Sequence, residues 1–203
     1  MHIRRARPFA HALIVIGVLS ASAGSAAAQT HDDHAMPMTE SRRKLTPRES
    51  AFVREVRDAT EPFRGATTVA GPGAGYGLAF GCVSGGDFGA MGLHYVNMAL
   101  VGDGEVEVTQ PEIILYEPTP SGGIRITGAD YLVYADQWDA KPEHKGPPQL
   151  RGQLFHRFDS PNRFGLPAFY TLHVWAWKDN PNGTFTNWNP DVSCDGFFVP
   201  GQE

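Results

Sequence analysis

The stretch AFYTLHVWAWK, residues 168–178, decides the fold class of this chain. Strand alternation divides it into two faces, with Thr171, His173, Trp175 and Trp177 on one and Tyr170, Leu172, Val174 and Ala176 on the other. Both faces carry large apolar side chains, a pattern typical of a central strand that is covered on both sides. The stretch therefore predicts a core strand with a buried His173.

Further short strands are predicted on either side of this stretch. They cover 91–98, 112–117, 123–127, 129–136, 151–158 and 196–199. Turn formers separate them, among the chain's 23 Gly and 16 Pro, and no helical periodicity lies between them. The Gly-rich segment 71–92 is predicted as a loop. The expected fold is mainly β, an antiparallel barrel or sandwich.

One amphipathic helix is predicted before the strands, at the N-terminal side of the domain. Thr46 and Glu49 have the spacing of a capping box, with Pro47 at the first helical position. Phe52, Val56, Ala59 and Phe63 then recur at helical spacing. We expect this apolar stripe to pack against the sheet, within a single domain that covers 46–203.

The first 28 residues have the pattern of a secretory signal peptide. Three arginines precede the apolar run Ala12–Leu19, and small residues follow up to Ala28. That run is too short for a membrane anchor, and no later stretch reaches the roughly 20 apolar residues of a spanning helix. Residues 29–45 have the composition of a flexible leader. The protein is predicted to be secreted or periplasmic.

The overall charge and the motifs that are missing narrow the class of function. The formal net charge is −5, and the sequence has no basic run of the kind that neutralises phosphates in nucleic-acid complexes. It also lacks a Gly-rich phosphate loop of the dinucleotide or P-loop type. Nucleic acids and nucleotides are therefore not expected partners.

The two cysteines, Cys82 and Cys194, are predicted to form a disulfide. In an exported protein an even number of cysteines most simply indicates a bond. Two buried free thiols, or a pair of metal ligands, are the alternatives.

Five segments resemble a family of small secreted bacterial proteins. They are AMGLHYVNMALVGDG (90–104), PEIILYEP (111–118), ADYLVYAD (129–136), SPNRFGLPAFYTLHVWAWKDNPNGTF (160–185) and NWNPDVSC (187–194). The resemblance implies one architecture from about Val56 to Cys194 and no particular activity. Family members usually have Glu at the position of Asp130, so a role for Asp130 rests on the chemistry that the two carboxylates share.

Four ionisable residues are predicted to lie on otherwise apolar strand faces: His94, Glu117, Asp130 and His173. Buried carboxylates need a cation or a proton, and two imidazoles with one or two carboxylates are typical ligands of divalent metals. We therefore expect a metal site whose metal is not specified by the sequence. In the alternative, Arg125 or Arg151 neutralises the carboxylates, and the imidazoles bond to the backbone or to tyrosine hydroxyls.

A second metal site is predicted at the N-terminus that signal cleavage would create. Gln29, Thr30 and His31 would supply an amine, two amides and an imidazole, a square-planar set that suits Cu(II) or Ni(II). The alternative is a leader with an incidental histidine.

Three kinds of function are compatible with these features. The first is a small exported β domain that binds a divalent metal or small ligand inside. The second is a metal-dependent enzyme, such as an oxygenase, hydrolase or isomerase, that uses the same residues. The third is a non-catalytic envelope module. A glycosidase that uses Glu117 and Asp130 is disfavoured, because the tryptophans are better explained as packing residues. The sequence specifies no catalytic residue and no substrate.

Overall fold

The computed structural model describes residues 43–68, 70–195 and 197. Within them the helices are α1 (Pro47–Thr60), α2 (Met98–Val101) and α3 (Ala135–Asp139), with short 3-10 turns at Glu61–Phe63 and Gly86–Phe88. The strands are β1 (Gly77–Ser84), β2 (Ala90–Val96), β3 (Ile113–Pro118), β4 (Ile124–Tyr134), β5 (Gln149–Leu150), β6 (Gln153–Leu154), β7 (His156–Phe158) and β8 (Phe169–Val174). The predicted mainly β fold is confirmed.

Six strands form one curled antiparallel sheet in the order β1-β2-β3-β4-β8-β7. The short strands β5 and β6 form a separate two-stranded sheet. In the main sheet β4 lies between β3 and β8, and Asp130 of β4 is directly opposite His173 of β8. This half-barrel is the sheet expected from the short strands and turns.

Several predicted strand limits were wrong. The Gly-rich segment expected to be a loop contains β1, which pairs with β2 through an irregular register between Ala79 and Cys82. Two predicted strands are one continuous β4, and the predicted strand 151–158 is divided between β6 and β7. The predicted strand 196–199 lies outside the described residues, apart from Phe197.

Strand β8 ends at Val174, four residues earlier than predicted. The backbone N–H of Trp175 bonds to Thr184, and that of Trp177 bonds to Thr127, so regular pairing stops there. As a result the Trp177 indole does not share the face of His173. Its N–H donates instead to the Thr60 hydroxyl of α1, at 2.8 Å.

Helix α1 begins as the sequence predicts, although it lies well inside the chain. The Glu49 N–H donates to the Thr46 hydroxyl, and the Thr46 N–H donates to the Glu49 carboxylate at 2.7 Å. Phe52 and Val56 are fully buried against β4 and β8. We call this side of the sheet the helix face.

The opposite side of the sheet, which we call the site face, has its own apolar cluster. It contains Val96, Val101, Ile113, Leu115, Leu132 and Phe169, with Phe158, Phe164 and Leu166 packed at its margin. The polar residues of the site face are therefore surrounded by apolar side chains.

The predicted disulfide between Cys82 and Cys194 is confirmed, and it closes a separation of 112 residues. In the loop-entropy description, a crosslink of that span constrains the unfolded chain by about 4–5 kcal/mol. Among the described residues, no helix combines the length and apolarity that crossing a membrane requires.

Candidate metal centre

Three strands bring His94, Asp130 and His173 together on the site face. One potential ligand atom from each residue lies within 4.8 Å of the other two. All three residues are buried, with exposed fractions of 5, 2 and 2%. The group combines two imidazoles with one carboxylate.

The curl of the sheet explains how His94 reaches His173. Two strands separate β2 from β8, so in a flat sheet the two backbones would lie about 14 Å apart. The two imidazole rings are nevertheless 5.7 Å apart, centroid to centroid. Curvature of the half-barrel is therefore what assembles the site.

His94 is held with one ring nitrogen available to a ligand. Its Nδ1 lies 3.1 Å from the Gly92 carbonyl oxygen, and because a carbonyl only accepts, Nδ1 carries the proton. Gly92 has a φ of +88°, and a Cβ there would lie 2.3 Å from the Tyr116 carbonyl oxygen, so only glycine fits. Nε2 is left with the lone pair, an arrangement common among metal-ligating histidines.

His173 is the polar residue with the fewest partners in the site. Both ring nitrogens are buried and have no hydrogen-bond partner among the described residues. Nδ1 lies 3.3 Å from Asp130 Oδ1, but this contact lacks hydrogen-bond geometry. A buried polar group left in this way costs about 1–3 kcal/mol, and a bond to a partner would remove that cost.

Burial keeps both imidazoles neutral, the form that binds metal ions. It lowers the pKa of His94 to about 4, with a further contribution from His173. It also lowers the pKa of His173 to about 3, with a smaller contribution from His156. Neither ring is protonated at neutral pH.

Asp130 supplies the site's negative charge. Burial raises the pKa of its carboxyl to about 6, an effect that His94 and the Thr171 hydrogen bond oppose. The Thr171 hydroxyl donates to Asp130 Oδ1 at 2.5 Å and orients the carboxylate. At neutral pH the group is mostly ionised in a buried position.

A small cavity of about 30 Å³ adjoins the three residues. Its remaining walls are Thr171 and eight apolar residues: Phe80, Met91, Ile113, Leu132, Phe158, Phe164, Leu166 and Phe169. None of these lining residues is a lysine or an arginine, so no lining cation balances Asp130. The volume exceeds the 10–15 Å³ that one water requires but is far below that of ordinary organic-ligand pockets.

Glu117, the fourth predicted ligand, is not brought into this group. Its carboxylate pairs with Arg125 at 2.6 Å and with Lys178 at 3.0 Å. The register explains the separation: Ile113 is opposite Asp130, and Glu117 lies four residues farther along β3, about 13 Å away. Of the two arginines considered as partners, Arg125 neutralises Glu117, whereas Arg151 pairs with Glu55.

Two buried polar residues, Thr171 in the site and Glu112 on the helix face, were given no role by the sequence. Thr171 was placed on the correct face, and its hydroxyl at two residues from His173 was the available signal. Glu112 is the first residue of the predicted strand 112–117 and was given no role, yet it is only 2% exposed, and burial raises its pKa to about 8.

The proposed N-terminal copper ligands, Gln29, Thr30 and His31, lie outside the described residues, as does the predicted signal peptide. Comparison of the chain with protein-family models, with curated proteins and with solved structures finds no match in any of the three. The functional interpretation therefore depends on the site itself.

Proposed function

We propose that this protein binds one divalent first-row transition metal ion through His94, Asp130 and His173. The observation that carries the proposal is the buried His173 ring, which has no hydrogen-bond partner among the described residues and lies beside a buried carboxylate. A cation at this point would give the ring a ligand bond and would also neutralise Asp130.

The donor set fits such an ion. Two neutral imidazoles and a carboxylate are ligands of Zn(II), and with open positions they are the facial set of non-haem Fe(II) sites. At metal–ligand distances of about 2.1 Å, the donors of a tetrahedral site are about 3.4 Å apart. Starting from separations of up to 4.8 Å, a closing movement of about 1 Å brings the three side chains onto one ion.

The residues around the ligands fit the same role. The Gly92 carbonyl fixes the tautomer of His94, and the Thr171 hydroxyl orients Asp130. The Gly92 contact raises the basicity of the His94 ring, and both contacts hold the geometry of their ligands. The ligands thus have two of the supports that metal sites commonly use.

The test is metal binding by the full-length, tag-free protein in a His31→Ala background, which removes the proposed N-terminal site. After chelation, we expect one Co(II), Zn(II) or Fe(II) per chain, measured by equilibrium dialysis and elemental analysis. His173→Ala and Asp130→Asn should each weaken binding by about 100-fold or more, because outer contacts alone are worth about 10–100-fold. Thr171→Val should fall within that smaller range.

His144→Ala is the matched control, because His144 stacks on Trp138 and lies outside the site. It should leave the affinity unchanged. Far-UV circular dichroism confirms that each variant is folded. Asp130→Asn is nearly isosteric, so a loss of metal affinity in this variant does not come from a cavity left by a truncated side chain. Equal affinity of wild type, His173→Ala and Asp130→Asn would refute the proposal.

Metal-dependent catalysis is the second candidate function, and the adjoining cavity favours it. Three protein ligands leave coordination positions open, as catalytic sites do. We further propose that the protein is exported and belongs with the small secreted bacterial proteins that its sequence resembles. The N-terminal sequence pattern supports export, and so does the Cys82–Cys194 disulfide, which oxidising compartments favour.

A further inference from the structure

The cavity beside His94, Asp130 and His173 has two chemically distinct parts. Its floor is formed by the three ionisable residues and Thr171, and the rest of its wall is apolar. Any molecule that completes the coordination of a bound metal would have to occupy this space.

Aromatic rings form much of the apolar wall. Phe158 stacks on Phe169 at 5.0 Å, and Phe164 meets Phe169 edge-on at 6.1 Å. Phe80 in turn meets Phe164 edge-on at 5.7 Å. These rings offer no strong hydrogen-bond donor or acceptor, so they would not replace the water shell of a hydrated or charged ligand.

The position of Phe80 is set by the irregularity in β1. Phe80 has a φ of +63°, an uncommon conformation for a residue other than glycine, and the adjacent Gly81 has a φ of +64°. The register with β2 shifts at this point, between Ala79 and Cys82. The bulge directs the ring to the cavity wall while leaving it 47% exposed, so Phe80 lies between the cavity and solvent.

The size and charge of the cavity narrow the class of co-ligand. A volume of about 30 Å³ accommodates roughly two water-sized groups, whereas organic ligands occupy cavities of about 300–1,000 Å³. None of the described residues that line the space is a lysine or an arginine that could hold a carboxylate or phosphate. Asp130 would cancel one of the two positive charges of a bound divalent ion, which weakens the attraction of the site for an anion.

We infer that the open coordination position accepts a small uncharged diatomic molecule, of the class of dioxygen and nitric oxide, in preference to anions or organic molecules. This inference rests on the proposed metal site. It concerns binding alone and requires no redox step.

The experiment uses the full-length protein loaded with Fe(II) under anaerobic conditions, after its metal content has been measured. Nitric oxide is the probe, because a ferrous nitrosyl has a half-integer-spin EPR signal and a visible absorption. We expect one nitrosyl per bound iron. Azide and acetate should bind at least about 100-fold more weakly, measured by displacement of the nitrosyl signal.

Phe164→Ala should open the wall and strengthen azide binding by about tenfold or more, because water and anions then reach the metal. Phe88→Ala is the matched control, since Phe88 is 65% exposed and does not line the cavity. If Phe164→Ala does not fold, Leu166→Ala tests the same wall.

The outcomes separate the two proposals. Iron that binds at one per chain but forms no nitrosyl overturns this inference and leaves the metal site intact. Azide or acetate binding as tightly as nitric oxide overturns it as well. A protein that binds no metal removes both proposals, and this result is obtained before any gas is added.

Discussion

The two faces of the sheet differ in whether their buried polar groups have hydrogen-bond partners. On the helix face, the Tyr131 hydroxyl donates to the Val108 carbonyl oxygen, and the Tyr116 hydroxyl donates to that of Phe63, both at 2.8 Å. On the site face, His173 has two buried ring nitrogens without a hydrogen-bond partner among the described residues.

This difference indicates that the helix face stabilises the fold and that the site face is adapted to binding. The helix face combines apolar burial with satisfied hydroxyls, which stabilises the fold. The site face keeps costly polar groups beside a cavity, as expected where stability is given up for binding.

The largest effect is expected from Phe52→Ala on the helix face. Phe52 is fully buried and stacks on Phe185 at 5.8 Å, so its loss should reduce the free energy of unfolding by about 3–5 kcal/mol. Phe164→Ala, at the partly open cavity wall, should cost only about 1–2 kcal/mol, because fewer contacts are lost. Urea unfolding of the metal-free protein measures both.

Phe88→Ala is the surface control for both variants and should change stability by no more than about 0.5 kcal/mol. Equal losses for Phe52→Ala and Phe164→Ala would show that the two faces contribute alike to the fold.

A smaller effect, opposite in sign, is expected from His173→Leu. The leucine has a similar volume and removes a buried group without hydrogen bonds, so the metal-free protein should gain about 1–3 kcal/mol while losing metal binding. Thr60→Val is the matched change on the helix face. The Thr60 hydroxyl bonds to the Val56 carbonyl oxygen and accepts from Trp177 Nε1, so its loss should cost about 1–2 kcal/mol.

Chemical denaturation without metal, followed by the same measurement with Zn(II), checks this pair. Metal should stabilise the wild type and Thr60→Val but not His173→Leu, because a ligand that binds only the folded state raises the stability of that state. A His173→Leu variant that is as unstable as Thr60→Val would show that His173 is an ordinary core residue.

The sequence identified the candidate residues of the site better than it identified which of them lie close together. Strand alternation placed His94, Asp130 and His173 each on an apolar face of its own strand, because alternation depends only on local geometry. Their convergence was predicted from the cost of burying each group alone. It placed Glu117 on the apolar face of its strand too, but the distance of Glu117 from the site depends on register and on position along β3. Those properties arise from pairing between distant segments, which alternation does not report.

The same limitation explains the errors in the fold. Strand β1 was predicted as a loop because glycines in its sequence weaken the strand signal, and its bulge at Phe80 and Gly81 interrupts alternation. In contrast, the capping box at Thr46 and Glu49 is local, and it was predicted correctly. The curl that brings His94 to His173 is a property of the whole sheet.

The smallest effect is expected from the pH dependence of Glu112, the buried carboxyl group of the helix face. By alternation from Ile114, Glu112 points toward the helix face, and the Leu132 N–H donates to its carboxyl at 3.1 Å. Burial, with smaller contributions from Asp130 and Asp103, raises its pKa from 4.5 to about 8. This face therefore accommodates a buried carboxyl by keeping it protonated rather than by binding a cation.

The sign of the effect follows from proton linkage. Between pH 4.5 and about 8 the folded state holds a proton that the unfolded state has released, so stability falls as pH rises through this range. From pH 7 to pH 9 the wild type should lose about 1–2 kcal/mol, and Glu112→Gln should lose much less. The range from pH 7 to pH 9 lies above the pKa values of His94, His173 and Asp130, so these residues contribute little to the change in stability. Urea unfolding at pH 7, 8 and 9 measures the free energy of unfolding of both proteins. Parallel pH profiles of the two would show that Glu112 is ionised in the folded state and that the helix face contains a buried charge.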